Sequence, residues 1–327
     1  MVINMKKINV LVTSAGVMSA INVIKSLQLQ RDYEIHILAT DVDPYAPGLH
    51  LSDIQYISPP IKKEDEYIKF LFRIIRKHNV SVLYPCYSKE ISIISKHQKD
   101  FEKIGAHVLV PSVDVINYCN DKLRTSQFVE SLGIPIPKII DNPSLNDLPI
   151  FSRRLTSSSS KGAILVEYLY HLEHLTLSNE NRMYQEYIDG MEYTIDILCD
   201  RDSNVLIAAP RKRLATKSGQ TVKGITVNNT LLNEYVTKIC KAVELIGACN
   251  IQFMERENKF YFIEINPRYA AGGLMLTVNA GTNIPLLALK VMLGVPIENS
   301  ELRHIPDIGI TRYWEEIILN KINGVDE

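Results

Sequence analysis

Short apolar runs and helical spacing alternate along the first third of the chain. Residues 8–13 form a mostly apolar run that stops at Ser14, Ala15 and Gly16, and Ala20, Val23, Ile24 and Leu27 follow at helical spacing. That predicts strand, turn and helix. The alternation continues with a strand over 34–39 that closes at Asp41 and Asp43, a helix over 67–78, a strand over 80–84, a helix over 91–104 and a strand over 107–110. Strands and helices of these lengths predict an α/β chain that begins with a Rossmann-like, doubly wound parallel sheet. Ligands of such sheets sit beyond the carboxyl ends of the strands, so Ser14, Gly16, Asp41, Pro85 and Glu90 are substrate-side candidates.

From residue 119 the pattern changes. Asn120 or Asp121 can cap a helix over 122–132 that ends at Gly133 before Pro135, with Lys122 in its first turn against the helix dipole. A strand over 149–154 carries Arg153, a polar serine loop over 156–162 includes Ser160 and Lys161, and a strand follows over 163–166. Small hydroxyl residues in such a loop can fold over phosphates or form a mobile hairpin tip. Asp189-Gly190 reads as a linker into a strand with period-two alternation, in which Glu192 and Asp196 default to surface acids. After a strand over 205–209, Arg211, Lys212, Arg213 and Lys217 read as a basic loop suited to an anion. A helix over 231–245, a hairpin, a helix over 283–293 and a closing strand within 308–319 complete the chain.

The hairpin is the most informative stretch. Two runs rich in Ile, Phe and Tyr flank the polar turn 255–259, and strand alternation predicts that Phe260, Phe262, Glu264 and Asn266 share one face. Glu264 and Asn266 then present oxygens in one direction, and Gln252 on the partner strand adds a third if the register sets it opposite. Oxygen donors of this kind suit Mg2+, which is held by one or two carboxylates together with substrate phosphates. Pro267 ends the ladder, and Arg268 follows with a planar fork that fits phosphate or carboxylate.

Composition narrows the function classes. The 327 residues leave room for two or three cores, and 46% hydrophobic with 22% charged residues is the balance of a soluble globular protein. A net charge of -1 without a long basic run gives no reason to expect nucleic acid or a membrane surface as partner. No apolar run approaches the ~18 residues of a spanning helix, and the run after Lys6 and Lys7 is too short for a secretory leader. Cys86, Cys119, Cys199, Cys240 and Cys249 are scattered and odd in number, without a C-x-x-C pair, which fits a reducing cytoplasm rather than a zinc or redox site. A nicotinamide site on the first sheet is a weaker alternative, because only Gly16 stands where G-x-G-x-x-G would supply three glycines.

Taken together, the segments resemble the ATP-grasp superfamily, and most closely the nucleotide-binding halves of carbamoyl phosphate synthase large subunits and related stand-alone carboxylate-amine ligases. The resemblance implies an ATP-grasp fold preceded by a Rossmann-like pre-ATP-grasp domain. Its divisions would be a first domain over 1–118, a small subdomain with the phosphate loop over 119–183, and a large subdomain with the metal site over 184–327. By the same resemblance Gln252, Glu264 and Asn266 would hold Mg2+, with Mn2+ as a substitute, and Arg268 would meet the transferred phosphoryl group. Glu186, Tyr187 and Ile188 would form the hinge whose backbone reads adenine, Glu192 would hold the ribose, and Lys122 and Arg153, with Ser160 and Lys161 in the loop, would grip ATP phosphates. Arg213 is the candidate for the substrate's anion. Family members often have lysine at the Arg153 position and glycines in the following loop, where this chain has arginine and Ser157 to Ser160.

The expectation is a Mg-ATP-dependent ligase of a small carboxylate and an amine, working through an acyl phosphate and forming a homodimer. The alternative is an ATP-binding regulator or subunit without turnover.

Overall fold

A computed structural model describes residues 7–155, 162–178 and 180–319. Strands β1 (Lys7–Thr13), β2 (Glu34–Asp41), β3 (Ile54–Ile57) and β4 (Val82–Tyr84) form a parallel sheet in the order β3-β2-β1-β4. Helices cover both faces, which is why β1 reads as a mostly apolar run. Val10 and Val12 pack toward the helices Met18–Leu29 and Ile284–Leu293, while Leu11 packs toward Glu64–His78. Two expectations fail here. Residues 107–110 contribute one bridge, His107 to Val82, instead of a strand, and the helix expected over 91–104 divides at His97 into Ser88–Lys96 and Gln98–Lys103.

Two antiparallel sheets follow. Strands β5 (Ile150–Arg154), β6 (Ile164–Val166) and β7 (Arg182–Glu186) make a small sheet in the order β6-β5-β7. Strands β8 (Met191–Cys199), β9 (Val205–Lys217), β10 (Gln220–Thr226), β11 (Gly247–Arg256), β12 (Lys259–Asn266) and β13 (Gly309–Thr311) make a larger one, ordered β12-β11-β8-β9-β10-β13. One face of the larger sheet is apolar. Ile195, Ile197, Ile251, Phe253 and Phe262 pack there under Leu232, Val236 and Ile239 of the helix Thr230–Val243.

The hairpin β11-β12 turns on Glu257 and Asn258, both with positive φ (55° and 62°), a left-handed two-residue turn that matches strand twist. A bulge corrects its expected alternation. Phe253 pairs with Phe262 while the preceding Gln252 pairs with Glu264, so Ile263 is the extra residue. Phe260, Phe262 and Ile265 therefore join the core, and Glu264 and Asn266 face away from them. The basic segment is also corrected. Arg211, Lys212 and Arg213 lie in β9, which runs on to Lys217. The closing strand spans only Gly309–Thr311, and residues 312–319 have no regular structure.

The cysteines are scattered in sequence but not in space. All five are buried, and Cys199, Cys240 and Cys249 meet in the core beneath the larger sheet with their Sγ atoms within 4.8 Å of one another. Burial pushes the Cys119 thiol up to about 12. The folded protein is expected to resist alkylation by iodoacetamide at neutral pH and to yield all five thiols in denaturant. Rapid native labelling at two or more positions would contradict this packing.

Candidate functional site

The polar face of the larger sheet gathers most of the residues singled out in the sequence. Register sets Gln252 opposite Glu264 and Asn250 opposite Asn266, and on the other side of β11 it sets Asn250 opposite Asp196 and Gln252 opposite Thr194. Thr194 in turn faces Arg211 of β9. Side chains directly opposite in a ladder share a face, so Gln252, Glu264 and Asn266 do converge. Asn266 Nδ2 donates to Glu264 Oε1 at 2.9 Å and to Asn250 Oδ1 at 3.3 Å. Asn250, which the sequence reading passed over, also donates to the Arg268 carbonyl at 3.1 Å and fixes the strand exit. Its signal was present in the alternation, two residues before Gln252.

Arg268 bridges the sheets. Its Nε donates to Ser88 Oγ at 2.9 Å, at the start of the helix Ser88–Lys96, and its Nη1 donates to the Tyr269 carbonyl at 3.0 Å. A small cavity beside it is lined by Ser88, Asn120, Lys122, Glu264 and Asn266, among others. Nothing in the sequence links Ser88 to a residue 180 positions away.

Basic side chains surround Glu264. Lys122 is the first residue of the helix Lys122–Ser131, capped by the Asp121 side chain, and its backbone N–H donates to the Leu155 carbonyl at 3.3 Å. This brings the helix start to the end of β5, where Arg153 is only 4% exposed. Arg153 Nε and Nη2 are buried and have no hydrogen-bond partner among the described residues. Burial pushes Lys122 down, and pushes Arg153 down to about 10, with the Glu264 carboxylate offsetting part of each shift. The same balance of burial against Glu264 lowers Arg268 and, with Glu192 also opposing, Arg213. One carboxylate thus sits in the field of four cations from four separate segments.

Glu192 and Asp196 are not the surface acids that strand position suggested. Asp196 is 1% exposed and forms a two-point ion pair with Arg211 at 2.9 and 3.2 Å, while Thr277 Oγ1 donates to it at 2.6 Å. Gly273 makes room for that guanidinium, since a Cβ there would lie 2.6 Å from Arg211 Cζ. Glu192 accepts from Arg213, and burial pushes its carboxyl up against the pull of that arginine. Arg213 therefore arrives at the site already paired.

The linker Glu186, Tyr187 and Ile188 joins the small sheet to the large one. Ile188 is buried, and Glu186 Oε1 pairs with Arg256 at 2.7 Å. Gly190 has no substitute in this linker, because a Cβ would come within 2.0 Å of the Glu255 carbonyl. Ser160 and Lys161 lie outside the described residues, as do positions 156–161 of the serine loop as a whole. Of the first-sheet candidates, Glu90 is fully buried and accepts from Thr13, Ser14, Tyr67, Cys86 and Tyr87, which makes it a structural anchor. Asp41 accepts from the Gly16 and Asp43 backbone N–H groups.

This architecture is that of known proteins. The structure matches a biotin carboxylase from Campylobacter jejuni with a TM-score of 0.70 and 18% identity, covering 90% of this chain and 73% of that one. It also matches N5-carboxyaminoimidazole ribonucleotide synthetase from Thermus thermophilus with a TM-score of 0.65 and 15% identity, covering 92% and 81%. Residues 178–313 match the family described as ATP-grasp in the biosynthetic pathway with Ter operon, and residues 10–109 the PylC-like N-terminal domain. The carbamoyl phosphate synthase large chain of Archaeoglobus fulgidus is 27% identical over 241 residues, 63% of this chain and 22% of that protein.

The fold is a mixed α/β ATP-grasp fold with a parallel sheet in its N-terminal part. Residues 178–313 match an ATP-grasp family, whose members are ATP-dependent ligases that use ATP and Mg2+, and the relatives of the chain include carbamoyl phosphate synthase large chains. It spans less than a third of the length of those curated relatives. Among the described residues no helix is long and apolar enough to cross a membrane.

Proposed function

We propose that the chain is a Mg-ATP-dependent ligase that activates a carboxylate and joins it to an amine. The observation that carries this reading is the polar face itself, where Glu264, Gln252 and Asn266 offer oxygen donors inside a ring of buried cations. Internal carboxylates leave that ring positive, and a polyphosphate is the ligand that fits it. The donor set suits a hard cation. Bound there, Mg2+ would neutralise phosphate charge.

The roles of the side chains follow from their positions. Lys122 and Arg153 bind phosphate oxygens, the linker backbone at Glu186 to Ile188 orients the base, and Glu192 meets the ribose. Arg268 holds the substrate carboxylate in line with the γ-phosphorus. The bond from that phosphorus to the β-phosphate oxygen breaks as one to the carboxylate oxygen forms, giving ADP and an acyl phosphate. The amine nitrogen then attacks the acyl carbon, phosphate leaves with the C–O bond, and the amine proton passes to solvent. In this reading residues 1–118, 119–183 and 184–327 act as the pre-ATP-grasp domain, the small subdomain and the large subdomain.

The test is ADP release from Mg-ATP against pooled carboxylic and amino acids, with hydroxylamine as acceptor. The expected result is ADP and a hydroxamate in equal amounts from one pool. A chain that binds Mg-ATP yet forms neither with any pool would shift the function to nucleotide binding without turnover.

A further inference from the structure

Three arginines converge on one short stretch beside the Arg268 loop. Arg213 Nη2 donates to the Gly219 carbonyl at 2.7 Å, Arg211 Nη1 to Thr221 Oγ1 at 3.2 Å, and Arg312 Nη1 to Gln220 Oε1 and the Thr221 carbonyl, both at 3.4 Å. Two of them are neutralised, Arg211 by Asp196 and Arg213 by Glu192. Arg312 is not. It is half-buried, its backbone N–H is tied to the Val222 carbonyl at 3.0 Å, and among the described residues it has no carboxylate within ion-pair distance. Arg213 Nε, in the same cluster, is buried without a hydrogen-bond partner among the described residues. Burial and the Arg211 charge both push Arg312 down, so its charge is costly where it stands.

The glycines connect this cluster to the reacting end of the site. A Cβ at Gly272 would lie 2.5 Å from the Thr221 nitrogen, so the loop that leaves Arg268 touches the same stretch. Arg268 and Gly272 are four residues apart, at most about 14 Å of extended chain. Arg268 answers one carboxylate, and the uncompensated charge at Arg312 answers a second anion.

We propose that the carboxylate substrate carries a second anionic group, a carboxylate or a phosphate, which Arg312 recognises with Arg213 beside it. The inference rests on the ligase reading for the carboxylate at Arg268. Its test uses binding, so that the two can fail separately.

The experiment is calorimetric titration of the chain, loaded with Mg2+ and a non-hydrolysable ATP analogue. The probes are succinate, glutarate, aspartate and glutamate, each against its monoamide, and phosphoserine against serine. At least one dianion should bind about 10- to 100-fold tighter than its partner. Arg312→Gln should abolish that preference while leaving the monoanion unchanged, and Arg312→Lys should restore part of it. Preference in the phosphoserine arm alone would identify the second anion as phosphate. Equal binding within every pair would overturn the proposal, and so would equal loss for both members in Arg312→Gln with an unchanged melting temperature. Tight dianion binding in this titration, with no ADP released when Mg-ATP replaces the analogue and an amine is supplied, would overturn the ligase reading and leave the anion site standing.

Discussion

Glu264→Ala is expected to lower ADP formation by about 10²- to 10³-fold, the usual loss when a preorganised charge at a reacting centre is removed. The nucleotide should still bind. Four cations feel the Glu264 carboxylate, and each of them is held in place by its own segment. Removing the carboxylate leaves the site more positive, so ATP free of metal should bind as well as before or tighter, while the dependence of binding on Mg2+ weakens. Glu264→Gln refines the test. It can keep the acceptor for Asn266 Nδ2, now at 2.9 Å, and removes only the charge. If Gln behaves like Ala in turnover and like wild type in thermal stability, the charge carries the effect. Full turnover in either variant would remove Glu264 from the proposed metal set.

Much of this site could be read in the sequence because strand alternation is a strict code. Gln252, Glu264 and Asn266 were expected on one face, and register sets Gln252 opposite Glu264. The same code misled at Phe260 and Phe262, since a bulge at Ile263 leaves no mark in residue type and shifts every later side chain to the other face. The charged run from Arg211 to Lys217 read as a loop because charge is depleted in half-buried strands. Here the strand's polar face is the site wall, and Asp196 and Glu192 on β8 supply the partners. The pairing of those acids with Arg211 and Arg213 was not legible for the same reason, because pairing across neighbouring strands depends on register. Ser88 and Arg312 belong to tertiary contacts 180 and 91 residues distant, to Arg268 and Thr221, beyond the reach of any local pattern.

Arg153→Met is expected to move stability and binding in opposite directions. Among the described residues Arg153 is a guanidinium with two nitrogens buried and unpartnered. Leaving such groups unsatisfied costs on the order of 1–3 kcal/mol, and methionine keeps most of the aliphatic stem's packing. The charge cost is present at neutral pH. A group whose folded pKa is pushed from 12.5 down to about 10 binds its proton less tightly when folded, so stability rises only as pH climbs through that interval. The lost attraction to Glu264 opposes the gain, but Lys122 and Arg268 still offset that carboxylate. The variant should therefore melt a few degrees higher without nucleotide and lose most of the stabilisation that saturating Mg-ATP gives the wild type, with ATP affinity down about 10- to 100-fold. A variant that melts lower without nucleotide would mean the buried guanidinium is satisfied in the fold, and one that keeps the full Mg-ATP shift would remove Arg153 from the proposed phosphate contacts. Both effects together would mean that the fold carries an unsatisfied charge whose partner is the nucleotide.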